Sequence, residues 1–379
     1  MLKTVRLLLL LGAAVGITRA VHAQTLNTNN HNRGKAVFVM TNDADNNAVI
    51  AYQRNFDGTL QRNGKFFTAG RGSGGTTDPL ASQGSLTLSD DGSLLFAVNA
   101  GSGSLSVFRV VNSSLLLVDV VPCGGSEPVA VAQYRDLIYL VNAGGTNNVV
   151  GFRLQWNQQL KRIPHANTLL STGNTGPGSI AFSHNGKFLL VTEKATNKID
   201  VFPVHGDGTL GSLVSTTAAG PGTFAVSFAP NGAALVVETG PAGGTDASAI
   251  SSYSLAENGT LTNISQSVPT GGAATCWLAV MPNGKFAYTA NSASSTISGF
   301  AIQADGSLAS LQGTVLATLP TGSTDLDTAV SSDGKFLYTL NSGTGSVGIF
   351  AIEKDGSLSS LGEVSGLAAK SGLNGIAAN

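Results

Sequence analysis

Charge is scarce in this chain. It has 379 residues, and its 21 basic and 22 acidic side chains make up only 11% of them, against about 25% in an average soluble protein. A formal net charge of −1 excludes a protein that holds nucleic acid by charge alone. There are only two cysteines, Cys123 and Cys276, far apart in sequence. That excludes a disulfide-stapled scaffold, and both are expected as buried free thiols. With 12 prolines and no strict glycine period, collagen is excluded. No apolar run reaches the ~20 residues of a membrane-spanning helix. The five histidines show no metal-ligand spacing, and there is no Gly-x-Ser-x-Gly elbow, Cys-x-x-Cys pair or phosphate loop. Glycine is plentiful instead, with 48 residues, and hydrophobic residues make up 42%. A large core is available, disorder is excluded, and many short strands joined by tight turns are indicated.

The first residues read as an address. Lys3 and Arg6 precede the apolar run Leu7–Ile17, and Val21-His22-Ala23 forms a small-residue cleavage site. Residues 1–23 are therefore expected to be a signal peptide and 24–34 a polar leader. The folded domain is expected to span 35–379 and to be exported, to the periplasm or the extracellular space.

The main fact is a repeat. Asn185-Gly-Lys-Phe-Leu-Leu-Val-Thr-Glu193, Asn283-Gly-Lys-Phe-Ala-Tyr-Thr-Ala-Asn291 and Asp333-Gly-Lys-Phe-Leu-Tyr-Thr-Leu-Asn341 are its clearest copies, and seven can be aligned. Each continues into a polar loop and an alternating apolar strand such as Ile199-Asp-Val-Phe202. Five then carry a turn such as Asp57-Gly-Thr-Leu60. Asp-Gly and Asn-Gly supply the positive φ that tight hairpins need, and the alternation fits a pleated strand. A marker residue recurs at Asn42, Asn99, Asn142, Glu193, Glu238, Asn291 and Asn341, spaced by 43 to 57 residues. Seven units of four antiparallel strands describe an all-β, seven-bladed β-propeller. The first copy lacks its innermost strand. The C-terminal segment Gly372–Asn379 resembles that strand, so it is expected to pair into blade 1 and close the ring.

These repeats resemble the lactonase-like seven-bladed propeller family, which includes 6-phosphogluconolactonases and carboxymuconate-cyclising enzymes, and the resemblance covers residues 35–379. It implies a propeller with a ligand site at the mouth of the central channel and possible hydrolysis of a small cyclic ester, a lactone. The alternative is a non-catalytic propeller that binds a ligand or a protein, because the repeat encodes a scaffold. Clustered cations for a phosphorylated substrate are missing. Arg71, Lys194 and Lys198 alone fall near the expected site face, on different blades.

Within the marker ring, Glu193 and Glu238 replace a repeated asparagine on successive blades, which makes them the candidate catalytic pair. One would serve as base, with neighbouring amides as donors to the carbonyl oxygen. Blade 5 is one residue short, which leaves Thr239 as an alternative to Glu238 at its marker position. Asn42, Asn99, Asn142, Asn291 and Asn341 are candidate substrate contacts, with a turn-stabilising role as the alternative. Inner strands begin with Ser85, Ser179 and Ala225 in three blades, but Trp277 and Asp327 stand there in blades 6 and 7, with Asp325 nearby. This aromatic and these acids suit a sugar-like ligand. The carboxylates could instead hold Ca²⁺ or Mg²⁺, which prefer oxygen ligands. The protein is expected to be a monomer with a small-molecule lactone or sugar-like ligand, no nucleic-acid partner and no membrane span in the mature chain.

Overall fold

The structure, a computed structural model, describes residues 35–379 apart from 242, 243 and 245. The expected signal peptide and polar leader lie outside the described residues. Among those residues there are 28 strands and no helix, arranged as seven antiparallel four-stranded sheets. In six sheets the strands follow chain order. The seventh is completed by the chain's last strand, Ile376–Ala378, which pairs with Ala36–Met40. Val37 lies opposite Ala378, and Val39 opposite Ile376. The inner strands of successive blades contact one another all the way round the axis. The fold is therefore the expected propeller, closed by its C-terminus. Every described strand of the ring lies within residues 36–378.

The local chemistry explains the blades. The Asp-Gly and Asn-Gly turns between third and outer strands take φ of +83 to +90° at Gly58, Gly208, Gly259, Gly306 and Gly356, where a Cβ would be strained. Space matters there as well. A Cβ on Gly58 would come within 2.3 Å of the Phe336 ring on the neighbouring blade. The turn is thus a packing surface for the preceding blade. Tyrosines of the repeat fasten it: Tyr338 donates its hydroxyl to the carbonyl of Gly58 at 2.9 Å, Tyr288 to that of Gly356 at 2.9 Å, and Tyr139 to that of Gly208. The second and third strands are almost entirely buried between neighbours, whereas outer strands alternate toward solvent. Cys123 and Cys276 are buried free thiols.

Removing Gly372–Asn379 should open the ring and expose the edge of blade 1. We expect the melting temperature to fall by roughly 10 °C or more. A truncated protein with unchanged calorimetric melting would contradict closure by this strand.

Candidate functional site at the channel mouth

The loops that enter inner strands and leave second strands meet at one end of the axis. The seven marker residues lie at this end, and all are buried. Glu238 pairs with Thr223 as Asn291 pairs with Thr275 and Asn341 with Asp325. The short blade 5 therefore keeps Glu238, not Thr239, at the marker position.

Asn99 accepts from the Thr68 hydroxyl at 2.6 Å and from Asn47 at 3.0 Å, both in blade 1, and donates to Ser104 and Ser106 in its own blade. Asn291 accepts from Thr275 and donates to Thr296 and Ser298. Asn142 donates to the Cys123 carbonyl and Asn42 to the Gly372 carbonyl, each on the segment leaving the preceding blade. Asn341 donates to Ser346 and accepts from Thr339. The marker side chain therefore sits in the seam between blades.

Glu193 and Glu238 occupy the same seams. Glu193 accepts the backbone N–H of Ser171 at 3.0 Å and its hydroxyl at 2.7 Å, together with the Thr196 hydroxyl. Glu238 accepts the Gly220 N–H at 3.1 Å and the hydroxyls of Ser251 and Ser267. Every one of these partners is a donor, and a carboxylate is the acceptor-only group that satisfies such a set. Beside Glu193 lies Asp200, which also accepts from the Ser171 N–H. Burial first, and then the neighbouring Glu193, push Asp200 up to about 7. Burial opposes ionisation of Glu193 too, but hydrogen bonds from Asp200, Thr196 and Ser171 hold it below its ordinary value. The pair therefore shares one proton, carried by Asp200.

The axis itself is crossed by a strap that sequence reasoning missed, residues 78–84. The Ser82 hydroxyl donates to Val129 of blade 3 at 2.8 Å, and the Gln83 N–H to Gly178 of blade 4 at 2.9 Å. The Gln83 side-chain amide exchanges two hydrogen bonds with the backbone of Leu278 in blade 6. Trp277, fully buried, donates its indole N–H to the Ser82 carbonyl at 3.1 Å and meets Phe224 edge-on. Trp277 thus holds the strap down and presents no face to an open mouth. On the far side of the strap the channel opens as a cavity of about 560 Å³, lined in part by Gln83, Thr87, Ser179 and Ser227. A smaller lobe of about 240 Å³ touches Asp327. The one sequence signal for the strap was the longest marker spacing, 57 residues between Asn42 and Asn99.

Titratable groups gather around the strap. Asp78 is half-buried at its start, and Asn374 donates to one of its oxygens at 3.1 Å. Burial pushes Asp78 up to about 6, while Lys194 pulls the other way. Lys194 donates to the carbonyls of Ala81 and Pro177 and lies 5.1 Å from the centre of the Phe224 ring. Burial brings it down to about 8, against the opposing pull of Asp78. The Cys276 thiol is raised by burial and by Asp78, which leaves it protonated and unreactive. Asp325 is fully buried with neither oxygen hydrogen-bonded, and burial raises it well above the carboxylate range. Asp327 accepts the N–H groups of Thr328 and Ile376, tying blade 7 to the closing strand; burial pushes it to about 7. Among the described residues no three His, Cys, Asp or Glu side chains converge to hold a metal ion. Glu193, Glu238, Asp325 and Asp327 therefore form no common Ca²⁺ or Mg²⁺ site.

A family model described as a lactonase, seven-bladed β-propeller, matches residues 129–369, well over half of the sequence. The chain belongs to this lactonase propeller family. No curated protein sequence matches the chain. Among solved structures, a periplasmic gluconolactonase from Pseudomonas aeruginosa superposes with a TM-score of 0.67 at 16% identity, over 91% of this chain and 98% of that one. A protein from Bacteroides uniformis with a provisional assignment as a 6-phosphogluconolactonase gives 0.66 at 18%, over 92% and 100%. The hydrazine synthase of Kuenenia stuttgartiensis gives 0.59 at 15%, over 83% and 94%. At these identities the likeness is one of fold.

The seam chemistry has a measurable signature. A carboxyl raised to about 7 in the folded protein binds a proton that the unfolded chain has already lost, so stability should fall as pH rises from about 4 to about 7. Asp200→Ser, which restores the hydroxyl found at Ser106 and Ser298, should remove one proton's share of that slope in denaturant titrations and leave the shares of Asp78 and Asp327. Asn99→Ala removes one acceptor of the Thr68 hydroxyl and the amide donor to Ser104 and Ser106, and should cost about 2 kcal/mol at any pH.

Proposed function

We propose that this lactonase-family propeller hydrolyses a small hydroxylated lactone at the strapped mouth, with Asp78 as base and Lys194 as the cation that stabilises the oxyanion. The observation that carries this reading is that Lys194 of blade 4 donates to the strap carbonyl of Ala81, three residues after Asp78, which puts a cation and an acid on one short segment at the axis. Asn374 donates to one oxygen of Asp78 and so orients the carboxyl. Two of the three N–H groups of Lys194 are occupied by carbonyls, which leaves one to point at a substrate.

In this scheme Asp78 takes a proton from water as the oxygen attacks the lactone carbonyl. The Lys194 ammonium offsets the charge on the tetrahedral oxyanion. Collapse breaks the ring C–O bond, and the departing alkoxide recovers the proton from Asp78, giving the hydroxy acid. The family and its gluconolactonase neighbour support a sugar-lactone substrate. The basic, apolar and small-residue pattern of residues 1–23 supports export to the periplasm or outside the cell. Glu193 and Glu238 keep their seam hydrogen bonds throughout and touch no substrate in this scheme.

Against a panel that includes a gluconolactone, kcat/KM should rise through about pH 6 and fall through about pH 8. Asp78→Asn should lose roughly 10²–10³ in kcat with little change in melting. Glu238→Gln should lower the melting temperature while turnover of the folded fraction stays within a few-fold. The reverse pattern, with Asp78→Asn active and Glu238→Gln folded but inert, would return the chemistry to the marker ring.

A further inference from the structure

The outer wall of the propeller is not uniform. Among the described residues eight large hydrophobic side chains are exposed, and seven of them lie on blades 1–3; the eighth, Leu361, is on blade 7. Charge follows the same division. Residues 35–171 hold 10 Lys and Arg against 9 Asp and Glu, a net of +1; residues 172–379 hold 7 against 13, a net of −6. No arginine occurs after Arg162.

The two most exposed of these side chains hold one position in the repeat. Phe56 (89% exposed) and Trp156 (96%) sit at the apex of the turn between third and outer strands in blades 1 and 3. At that apex blades 4–7 carry Gly206, Glu257, Ala304 and Lys354. Blade 2, between the two aromatic tips, places exposed Val111 and Leu116 beside its own turn. All three turns lie at the same end of the propeller, the end at which the axial cavity opens.

Each aromatic tip also has a cation next to it. The Lys335 ammonium stands 5.6 Å from the centre of the Phe56 ring. The Arg109 guanidinium donates to Gln158, in the turn that carries Trp156, at 2.6 Å. An aromatic ring at the apex of a hairpin projects outward and suits an interface it can enter. Aromatic rings paired with snorkelling cations are the side-chain set favoured where hydrocarbon meets phosphate. The uneven charge also turns this half of the molecule toward a negative surface.

We propose that the rim of blades 1–3 seats the protein on an anionic lipid bilayer. Phe56 and Trp156 enter the headgroup layer, and Lys335 and Arg109 lie at the phosphates. The binding is peripheral and adds no membrane span to the chain.

The sequence contains its own probe, because one of its two tryptophans, Trp277, is fully buried while Trp156 is exposed. A chain beginning at Gln24 retains every strand of the ring. It would be mixed with vesicles of equal parts phosphatidylglycerol and phosphatidylcholine and followed by co-sedimentation and tryptophan emission. We expect binding, a shift of emission to shorter wavelength, and quenching by brominated lipid. The double variant Phe56→Ser, Trp156→Ser should bind at least about tenfold more weakly and melt as the parent does. Phe56→Ser alone keeps the probe and should weaken binding with a smaller emission shift. Failure of the parent chain to bind, or equal binding by the folded double variant, would overturn the proposal. So would emission that stays unshifted on binding. Concentration-dependent self-association that the double variant abolishes, without vesicle binding, would assign the patch to a second copy and equally overturn it.

Discussion

The seam between adjacent blades is the constraint on which the rest of this structure depends. At one end a tyrosine hydroxyl reaches across to the turn carbonyl of the next blade, at Gly58, Gly208 and Gly356. At the other end Asn42, Asn99, Asn142, Glu193 and Glu238 each bond to the segment leaving the blade before their own. Neither contact is strong alone, since a hydrogen bond contributes about 1 kcal/mol net. Repeated round a closed ring, they set the orientation of every sheet and leave few places where a side chain faces the axis. The scarcity of charge follows from the same packing. Most second and third strands are covered on both faces, and a charge there would need a partner.

The division of labour among the polar groups follows the donors and acceptors each seam presents. Where the preceding blade donates and the marker's own blade accepts, as Thr68 and Asn47 do on one side of Asn99 and Ser104 and Ser106 on the other, an asparagine fits. Where it offers only donors, as at Ser171 and Gly220, a glutamate fits. In blade 4 the hydroxyl expected on the third strand is replaced by Asp200, and the two acids must share a proton. The charged groups left over, Asp78 and Lys194, are those the repeat does not use. Asp78 begins the strap and Lys194 donates to it at Ala81, and burial moves both toward neutral pH.

The propeller was legible because its signals are local. A turn of the Asp57-Gly58 kind and an alternating strand such as Ile199–Phe202 carry their geometry within a few residues, and the missing first strand could be matched to the C-terminus by its pattern. The marker ring was legible as a position and not as a task. Glu193 and Glu238 stood out as departures from asparagine, but what decides their role is the set of donors across the seam, on residues 22 and 18 positions earlier. Trp277 and Asp327 stood out as departures too, and both serve contacts made far away in sequence, at Ser82 and Ile376. The strap belongs to no repeat unit, so the periodicity that revealed the blades marks it only as the long spacing between Asn42 and Asn99.

The proposal puts the chemistry at the strapped mouth and leaves the marker ring to hold the blades together. A crystal structure with a sugar lactone or its hydroxy-acid product bound would test this most directly. We expect density for the carboxyl carbon beside the Lys194 ammonium and the Asp78 carboxylate, with the hydrogen bonds of Glu193 and Glu238 unchanged. Ligand density at the carboxylates of Glu193 or Glu238, with the Ser171 and Gly220 contacts broken, would contradict it.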